Sequence, residues 1–521
     1  MIEVNVKAKI PFLWGKASFE KSNWTNVNLI VGQNGSGKTL LAEQIAEQFN
    51  AAGYDINFLR AERDSDDDIA AMRTIRENQA VRQKIEDVLS NMFSKSIRFE
   101  EAPGGRLVAI VVNKARGVEY NLRQGECHGL KEILTLLVAL YGNPSGKKNC
   151  LILDEPELHL HPQFQQFFMN CIREASAQDP KRVFFLITHS PYFIDLNFSE
   201  DLLGVVVCHV NRAPTSIDSL SENDEQMFRR FLPRFNTYHK QFFFSDKQIF
   251  VEGYTDQQLF TRLLSCVENK MGSAGTGVID VGGKDELGVF FKVCSLLGTD
   301  GRIITDLDSL FCGKLREEVC ADERTQNFLD AQREKQDGFY VSLFTKKELS
   351  KKITLEKLIF RLERYLGALG EFLGRMETRS DSSPASDGAD DLDILVEKIK
   401  DLYAKHENPE NMDTFKTVVL MGVTLLRERL EQALPLPLAA SLGQILNLAN
   451  LIFAAIECSR VYILRRGCIE HYYTQTQVHY MPVSSKDRIF HSEIEFMLDQ
   501  SSERLKKKYE ELLVILNKAC S

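Results

Sequence analysis

Four carboxylates fall in two tight groups: Glu252 and Asp256 in Ile249-Phe-Val-Glu-Gly-Tyr-Thr-Asp256, and Asp306 and Asp308 in Asp306-Leu-Asp308, about fifty residues further on. Carboxylates that converge repel one another unless divalent cations neutralise them. Two such cations about 4 Å apart activate water and stabilise the leaving oxygen of a phosphodiester. Gly253 permits the sharp turn that aims Glu252 from the end of an apolar strand. Alternation along an extended segment after Ile303-Ile-Thr305 would put Asp306 and Asp308 on one side. An isolated Asp after a strand is usually a turn former or a helix cap, so the reading rests on the combined spacing.

A second phosphate chemistry lies upstream. Gly32-Gln33-Asn34-Gly35-Ser36-Gly37-Lys38-Thr39 fits G-x-x-x-x-G-K-T between a strand and a helix, the context in which that pattern is specific. Loop amides and the helix N-terminus would bind phosphate oxygens, Lys38 would reach the β and γ phosphates, and the Thr39 hydroxyl would ligate magnesium. In Leu151-Ile-Leu-Asp-Glu-Pro156, Asp154 at a strand end suits the magnesium shell, and Glu155 suits the orientation or deprotonation of the attacking water. His189, in Thr188-His-Ser-Pro after the next strand, is placed to contact the γ phosphate. The implied cofactors are ATP and Mg²⁺, with Mn²⁺ an alternative at the downstream carboxylates.

The elements that must hold these groups read as α/β. Asn28–Val31 and Cys150–Leu153 are short apolar strands, Arg182–Ile187 is a buried parallel type, and a helix is predicted over about 128–141. Residues 62–100 read as charged and helical, followed by a strand over Arg106–Val112. A second alternation begins at Lys247–Val251 and continues through Gly277–Val281 and Arg302–Thr305, predicting a second parallel sheet. Helical periodicity then runs over about 345–458, broken by the polar Ser380–Asp391, and a strand-like Arg460–Leu464 follows. The expected domains are 1–238 for the ATPase, 239–345 for the first part of the second sheet domain, 346–458 for a helical insertion, and 459–521 for completion of that domain and a C-terminal helix.

Composition excludes little. The chain has 521 residues, 44% hydrophobic and 26% charged, as expected of a globular protein of two or three domains. Its formal net charge of −9 gives no global attraction to nucleic acid or membrane, so any nucleic-acid contact must use local basic patches or bound metal. Eleven cysteines without a C-x-x-C pair argue against a zinc ribbon and a disulfide framework. Absence of a signal-like start and of a long uninterrupted apolar run leads to an expectation of a cytoplasmic protein without a membrane partner.

The phosphate-loop motifs resemble those of ABC-type ATPases, and Asn121-Leu-Arg-Gln-Gly-Glu126 is similar to their signature loop, with Arg123 in place of the usual Ser. Arg60 and Arg63 occupy the region where that family has its Q-loop, and salt bridges to solvent-facing acids are an equal reading for them. The stretch from Gly32 to Asp154 leaves no room for the long coiled coils of chromosome-maintenance ATPases. The acid groups, with Gly282-Gly-Lys284 between them, resemble the Toprim domain. The combination resembles the OLD (overcoming lysogenization defect) nuclease family, including relatives in Gabija and retron anti-phage systems.

That resemblance implies an ABC-type head followed by a Toprim parallel sheet with a helical insertion. It implies ATP-controlled, metal-dependent DNA cleavage in anti-phage defence, on phage or plasmid DNA, by a homodimer or higher homo-oligomer. A reverse transcriptase, retron nucleic acid or helicase is the kind of partner such systems carry. The family completes its nuclease site with a later D-x-E element and a lysine. The matching stretch is Gly467-Cys-Ile-Glu470, making Glu470 a candidate metal ligand with Cys468 where an acid is expected, and Lys486 the candidate lysine, with Lys346 a rival. The alternative is an ATP-gated sensor or scaffold whose acidic site binds nucleic acid without cutting it. Topoisomerase and primase readings lack an assignable tyrosine and a zinc module.

Overall fold

The parallel strands in this chain are short apolar runs, and runs of that kind must be covered on both faces. The computed structural model describes residues 1–521 apart from 63–64, 93–95, 103–105, 114–115, 123–127, 143–146, 245–246, 268–275, 336–342, 350, 377–390 and 406–408. The chain divides into two compact units, Met1–Ser245 with Leu296–Thr299, and Asp246–Ser295 with Asp300–Ser521.

The first unit is built on a six-stranded sheet in the order Arg212–Ser216, Val205–His209, Val27–Gly32, Arg182–Ile187, Asn149–Asp154 and Asp55–Leu59. All neighbours are parallel except the outer pair Val205–His209 and Arg212–Ser216. Every residue of Val27–Gly32, Asn149–Asp154 and Arg182–Ile187 is buried. Beneath this sheet Phe185 meets Trp24 and Phe49 edge to face, each at a centroid distance of 5.2 Å, a geometry favoured by the ring quadrupoles. The helix Lys38–Ala51 buries Leu41, Ala42, Ile45 and Phe49 in the same core.

The charged stretch after residue 62 was expected to be helical throughout. Its helices are Ser65–Glu77 and Gln79–Met92, but Ser96–Ala102 is a strand. It pairs antiparallel with Arg106–Asn113, which pairs in turn with Val118–Asn121. Ile97 and Phe99 are buried while Arg98 and Glu100 are exposed, so a two-residue period is present beneath the charge.

The second unit has a four-stranded, wholly parallel sheet in the order Thr276–Asp280, Lys247–Val251, Gly301–Thr305 and Val461–Ile463. The last strand joins the edge only after a helical block that includes Leu355–Gly374, Asp391–Ala404, Pro409–Leu425 and Leu436–Cys458. Leu355–Gly374 and Pro409–Leu425 approach so closely that a Cβ on Gly370 would meet Phe415 Cζ at 2.3 Å. Leu436–Cys458 is long and apolar enough to cross a membrane by length and composition alone. Half of its most apolar window is buried, against Leu355–Gly374, Glu323–Lys335 and Val461–Ile463, as for a core helix. The helices Lys486–Leu498 and Glu510–Cys520 cover the sheet through Phe490, Leu512 and Leu516.

Candidate active sites

The first site lies at the carboxyl end of Val27–Gly32, where ligands bind in open parallel sheets. Gly32 has φ 136°, and a Cβ there would lie 2.2 Å from the Cys208 carbonyl oxygen of the neighbouring strand, so only glycine fits. The chain turns through Gly35 (φ 77°) and Gly37 (φ 84°), the latter capping Lys38–Ala51. Lys38 Nζ donates to the carbonyl oxygens of Gly32 at 3.2 Å and Gln33 at 2.7 Å. Ser36 Oγ also donates to Gln33, while Asn34 forms the rest of the turn. Burial pushes the Lys38 amine below its usual range, an effect opposed by Glu155, Asp154 and Glu157. Thr39 Oγ1 donates to Asp154 Oδ2 at 2.9 Å, so a hydroxyl and a carboxylate converge as a magnesium shell requires. Burial raises the Asp154 carboxyl, which the Thr39 hydrogen bond offsets in part.

Glu155 sits just past the strand end with φ 46°, and its Oε1 is 3.7 Å from His189 Nε2. Burial and the Lys38 charge lower the His189 pKa, favouring the neutral ring. Glu157 lies outside the sequence motifs. Its carboxylate accepts from Thr188 Oγ1 at 2.9 Å and from the His189 backbone N–H at 2.6 Å, tying the loop after Asn149–Asp154 to the loop after Arg182–Ile187. A second acid two residues beyond Glu155 was the available signal. Arg60 is exposed and pairs with Glu43 at 2.9 Å. Arg63 and Arg123 lie outside the described residues.

The second site lies at the carboxyl ends of Lys247–Val251 and Gly301–Thr305. Glu252, Asp306 and Asp308 each bring a carboxylate oxygen within 4.8 Å of the others. Extended alternation was expected to align the two aspartates. Instead Asp306 stands at the start of a single 3₁₀ turn, Leu307–Leu310, which swings Asp308 back to the same place. Glu252 Oε1 accepts from Thr305 Oγ1 at 2.8 Å, Asp306 N at 3.3 Å and Ser309 Oγ at 3.4 Å, which fixes its orientation. Asp256 belongs to the first turn of Tyr254–Leu264 and accepts from Gly253 N at 3.2 Å. Burial, then the charges of Glu252 and Glu470, push its pKa up to about 7. The buried Asp306 is raised well above its ordinary value by burial and by Glu252, Asp256, Asp308 and Glu470.

Lys284, noted in the sequence only as part of a Gly-Gly-Lys run, lies 2.6 Å from Asp308. Burial lowers its amine, but the attractions of Asp308, Cys312 and Glu252 together outweigh burial and raise it. Gly282 (φ 79°) and Gly283 (φ 140°) turn the chain from Thr276–Asp280 into the helix that Lys284 starts, a cue comparable to that of the phosphate loop.

Glu470 follows the edge strand and is 2% exposed. Lys486 Nζ lies 3.1 Å from Glu470 Oε1, whereas Glu470 Oε2 is buried without a hydrogen-bond partner among the described residues. Burial opposes the Glu470 charge, but the neighbouring Cys468 thiol and Lys486 outweigh it and hold the carboxyl below its usual range. Burial lowers the Lys486 amine in turn, but Glu470, Cys468 and Asp306 together raise it. Cys468 is fully buried, its Sγ 3.0 Å from His471 Nδ1, and burial with nearby Asp306 and Glu470 drives its thiol upward. The Lys346 side chain lies outside the described residues.

Oxygen donors in this number, with buried negative charge that the lysines only partly balance, fit hard divalent cations. Glu252, Asp306 and Asp308 would hold one, and Asp256 and Glu470 are the further donors beside it.

Comparison with known proteins adds family context. Residues 243–308 match the family "Overcoming lysogenization defect protein-like, TOPRIM domain", and residues 128–195 match "AAA domain, putative AbiEii toxin, Type IV TA system". The chain is 29% identical over 170 residues to the OLD nuclease of Thermus scotoductus, covering 31% of each chain. It is 27% identical over 186 residues to the endonuclease GajA of Bacillus cereus, covering 32% of this chain and 27% of that one. It thus spans under a third of the length of these curated relatives. Among solved structures it is similar to the SMC head domain from Thermotoga maritima, at 13% identity and TM-score 0.29, over 42% of this chain and 100% of that one. The chain carries an ATPase domain and an OLD-like Toprim domain.

Proposed function

We propose that this chain, which joins an ATPase domain to an OLD-like Toprim domain, binds and hydrolyses ATP and is a divalent-metal-dependent DNA endonuclease acting in anti-phage defence. The observation that carries the reading is the convergence of Glu252, Asp306 and Asp308 within 4.8 Å, at a pair of parallel strand ends in the Toprim-matched region. The nuclease and endonuclease names of the two relatives support it.

In this reading Thr39 and Asp154 hold Mg²⁺ and Lys38 binds the nucleotide phosphates, with Gly32, Gln33, Asn34, Gly35, Ser36 and Gly37 shaping the cradle. Glu155 orients water for attack on the γ phosphate. His189 reaches that phosphate from a loop held by Glu157. At the carboxylate site Glu252, Asp256, Asp306, Asp308 and Glu470 are the metal donors, and Lys486 balances charge beside the scissile phosphate. Mg²⁺ or Mn²⁺ held by these donors would supply an activated water and charge neutralisation there. We place the protein in the cytoplasm, where its thiols stay reduced, as a homodimer or larger homo-oligomer on phage or plasmid DNA. A retron nucleic acid, a reverse transcriptase or a helicase would be its companion.

The test is cleavage of supercoiled plasmid with Mg²⁺ or Mn²⁺, with and without ATP. Glu252→Ala and Asp306→Ala should abolish nicking while nucleotide binding persists. Equal cleavage by those purified variants would refute the site. The buried Cys468 favours a second reading, an ATP-gated sensor whose acidic site binds without cutting, because a protonated thiol gives a hard cation no anionic oxygen. That reading predicts no nicking with either metal at any ATP concentration.

A further inference from the structure

The helix Leu355–Gly374 presents two different faces. Leu355, Leu358, Ile359 and Leu362 are buried, and Leu355 and Ile359 line a small internal space with Thr305 and Ser309, directly beneath the turn that carries Asp306. On the same helix Glu363 receives Arg316 and Lys416, each at 3.2 Å, the first pinning the helix to the segment following that turn and the second to Pro409–Leu425. The helix is therefore fixed with respect to the carboxylates.

Its other face carries Lys357, Phe360, Arg361 and Arg364, spaced three and four apart so that they form one stripe. With Lys351 and Lys352 they line a groove of about 690 Å³. In a chain of net charge −9, this lining carries five cations against one acid, Glu348. Glu348 is already engaged by Arg361 at 3.3 Å and by Thr345 at 2.7 Å. The Arg361 guanidinium lies over the rings of Phe344 at 5.5 Å and Tyr365 at 5.9 Å, so the floor is both aromatic and cationic. Phe360 remains 61% exposed among these charges.

We propose that this groove binds a single-stranded segment of nucleic acid and holds it at a fixed offset from the carboxylates. The cations match a phosphate backbone, and the exposed ring offers a stacking platform for an unpaired base. A duplex keeps its base faces stacked and gives Phe360 nothing to meet. The proposal rests on the nuclease reading only for its purpose; binding stands or falls by itself.

The experiment uses the full chain carrying Glu252→Ala, in chelator, so that nothing is cut. Fluorescence anisotropy follows a labelled oligo-dT of about twenty nucleotides across a salt series. The double variant Lys357→Glu/Arg364→Glu should bind at least about tenfold more weakly, with the slope of log affinity against log salt reduced by about 1.4. Phe360→Ala should lose about tenfold with the slope unchanged. If the double variant melts lower than its parent, Lys357→Gln/Arg364→Gln replaces it. The inference is overturned if these variants bind as the parent does, if a duplex of equal length binds better than the single strand, or if anionic phospholipid vesicles bind in the oligonucleotide's place. Normal binding by the variants beside plasmid cutting by the wild type removes the groove and leaves the nuclease. Binding that depends on the groove, with no cutting in any metal, removes the nuclease and leaves the groove.

Discussion

Both candidate sites sit at the carboxyl ends of parallel strands, yet they solve opposite electrostatic problems. The phosphate loop gathers backbone amides and a buried Lys38 among Asp154, Glu155 and Glu157, an arrangement that receives an anion together with its metal. The carboxylate site brings Glu252, Asp256, Asp306, Asp308 and Glu470 together, with Lys284 and Lys486 the lysines that offset them among the described residues. Without a cation it is in conflict with itself. The phosphate cradle of the first site can therefore be built from contiguous backbone and glycine, whereas the second site depends wholly on side chains drawn from separated segments of chain.

The sharpest way to break this contrast is to remove one charge from each site. Asp306→Ala should lower plasmid cleavage by about 10³-fold or more while ATP affinity stays within about twofold. Lys38→Ala should do the reverse to nucleotide, weakening ATP binding by about 10²-fold and stopping hydrolysis, while Mn²⁺ still raises the melting temperature through the carboxylates. Isothermal titration of nucleotide and thermal melts with and without metal read both. Loss of both functions in either variant would mean that the sites are not separately organised.

A pH series sharpens the same contrast. The folded Asp256 pKa of about 7 lies above its ordinary 3.8, and Asp306 is raised in the same direction, so the folded state holds more protons than the unfolded one between those values. Stability then falls as pH rises through about 7 and is recovered as pH drops toward 3.8. Melts in chelator should show the higher transition at pH 6 than at pH 8, with Asp256→Asn flattening the difference. Saturating Mn²⁺ should cancel it. The smallest expected effect is that of Glu157→Gln, about tenfold on ATP hydrolysis with binding preserved, since it loosens the loop of His189 without touching Lys38.

The two sites also differed in how readable they were. Gly32–Thr39 announces itself because a strand, a glycine-rich turn and a helix are contiguous, and the positive φ values of Gly32, Gly35 and Gly37 demand glycine. The acids Glu252, Asp256, Asp306 and Asp308 were visible as strand-end residues, although the turn that unites the last two was not, because an extended segment and a 3₁₀ cap share the same short spacing. Lys284 and Glu157 were missed because their value lies in a partner distant in sequence. The strand Ser96–Ala102 was hidden by charge on its outer face. The groove beneath Phe360 was invisible because Lys357, Arg361 and Arg364 belong to an ordinary amphipathic helix until burial shows which stripe is spare.

The edge strand Val461–Ile463 pairs with Gly301–Thr305 only after the whole helical block has been traversed. Contacts so distant in sequence form late, because their loop closure must wait for the intervening chain. A polypeptide still emerging from the ribosome would have its phosphate loop complete while Glu470 and Lys486 were yet to be synthesised. The order of translation thus withholds the last members of the acid cluster until almost everything that surrounds them exists.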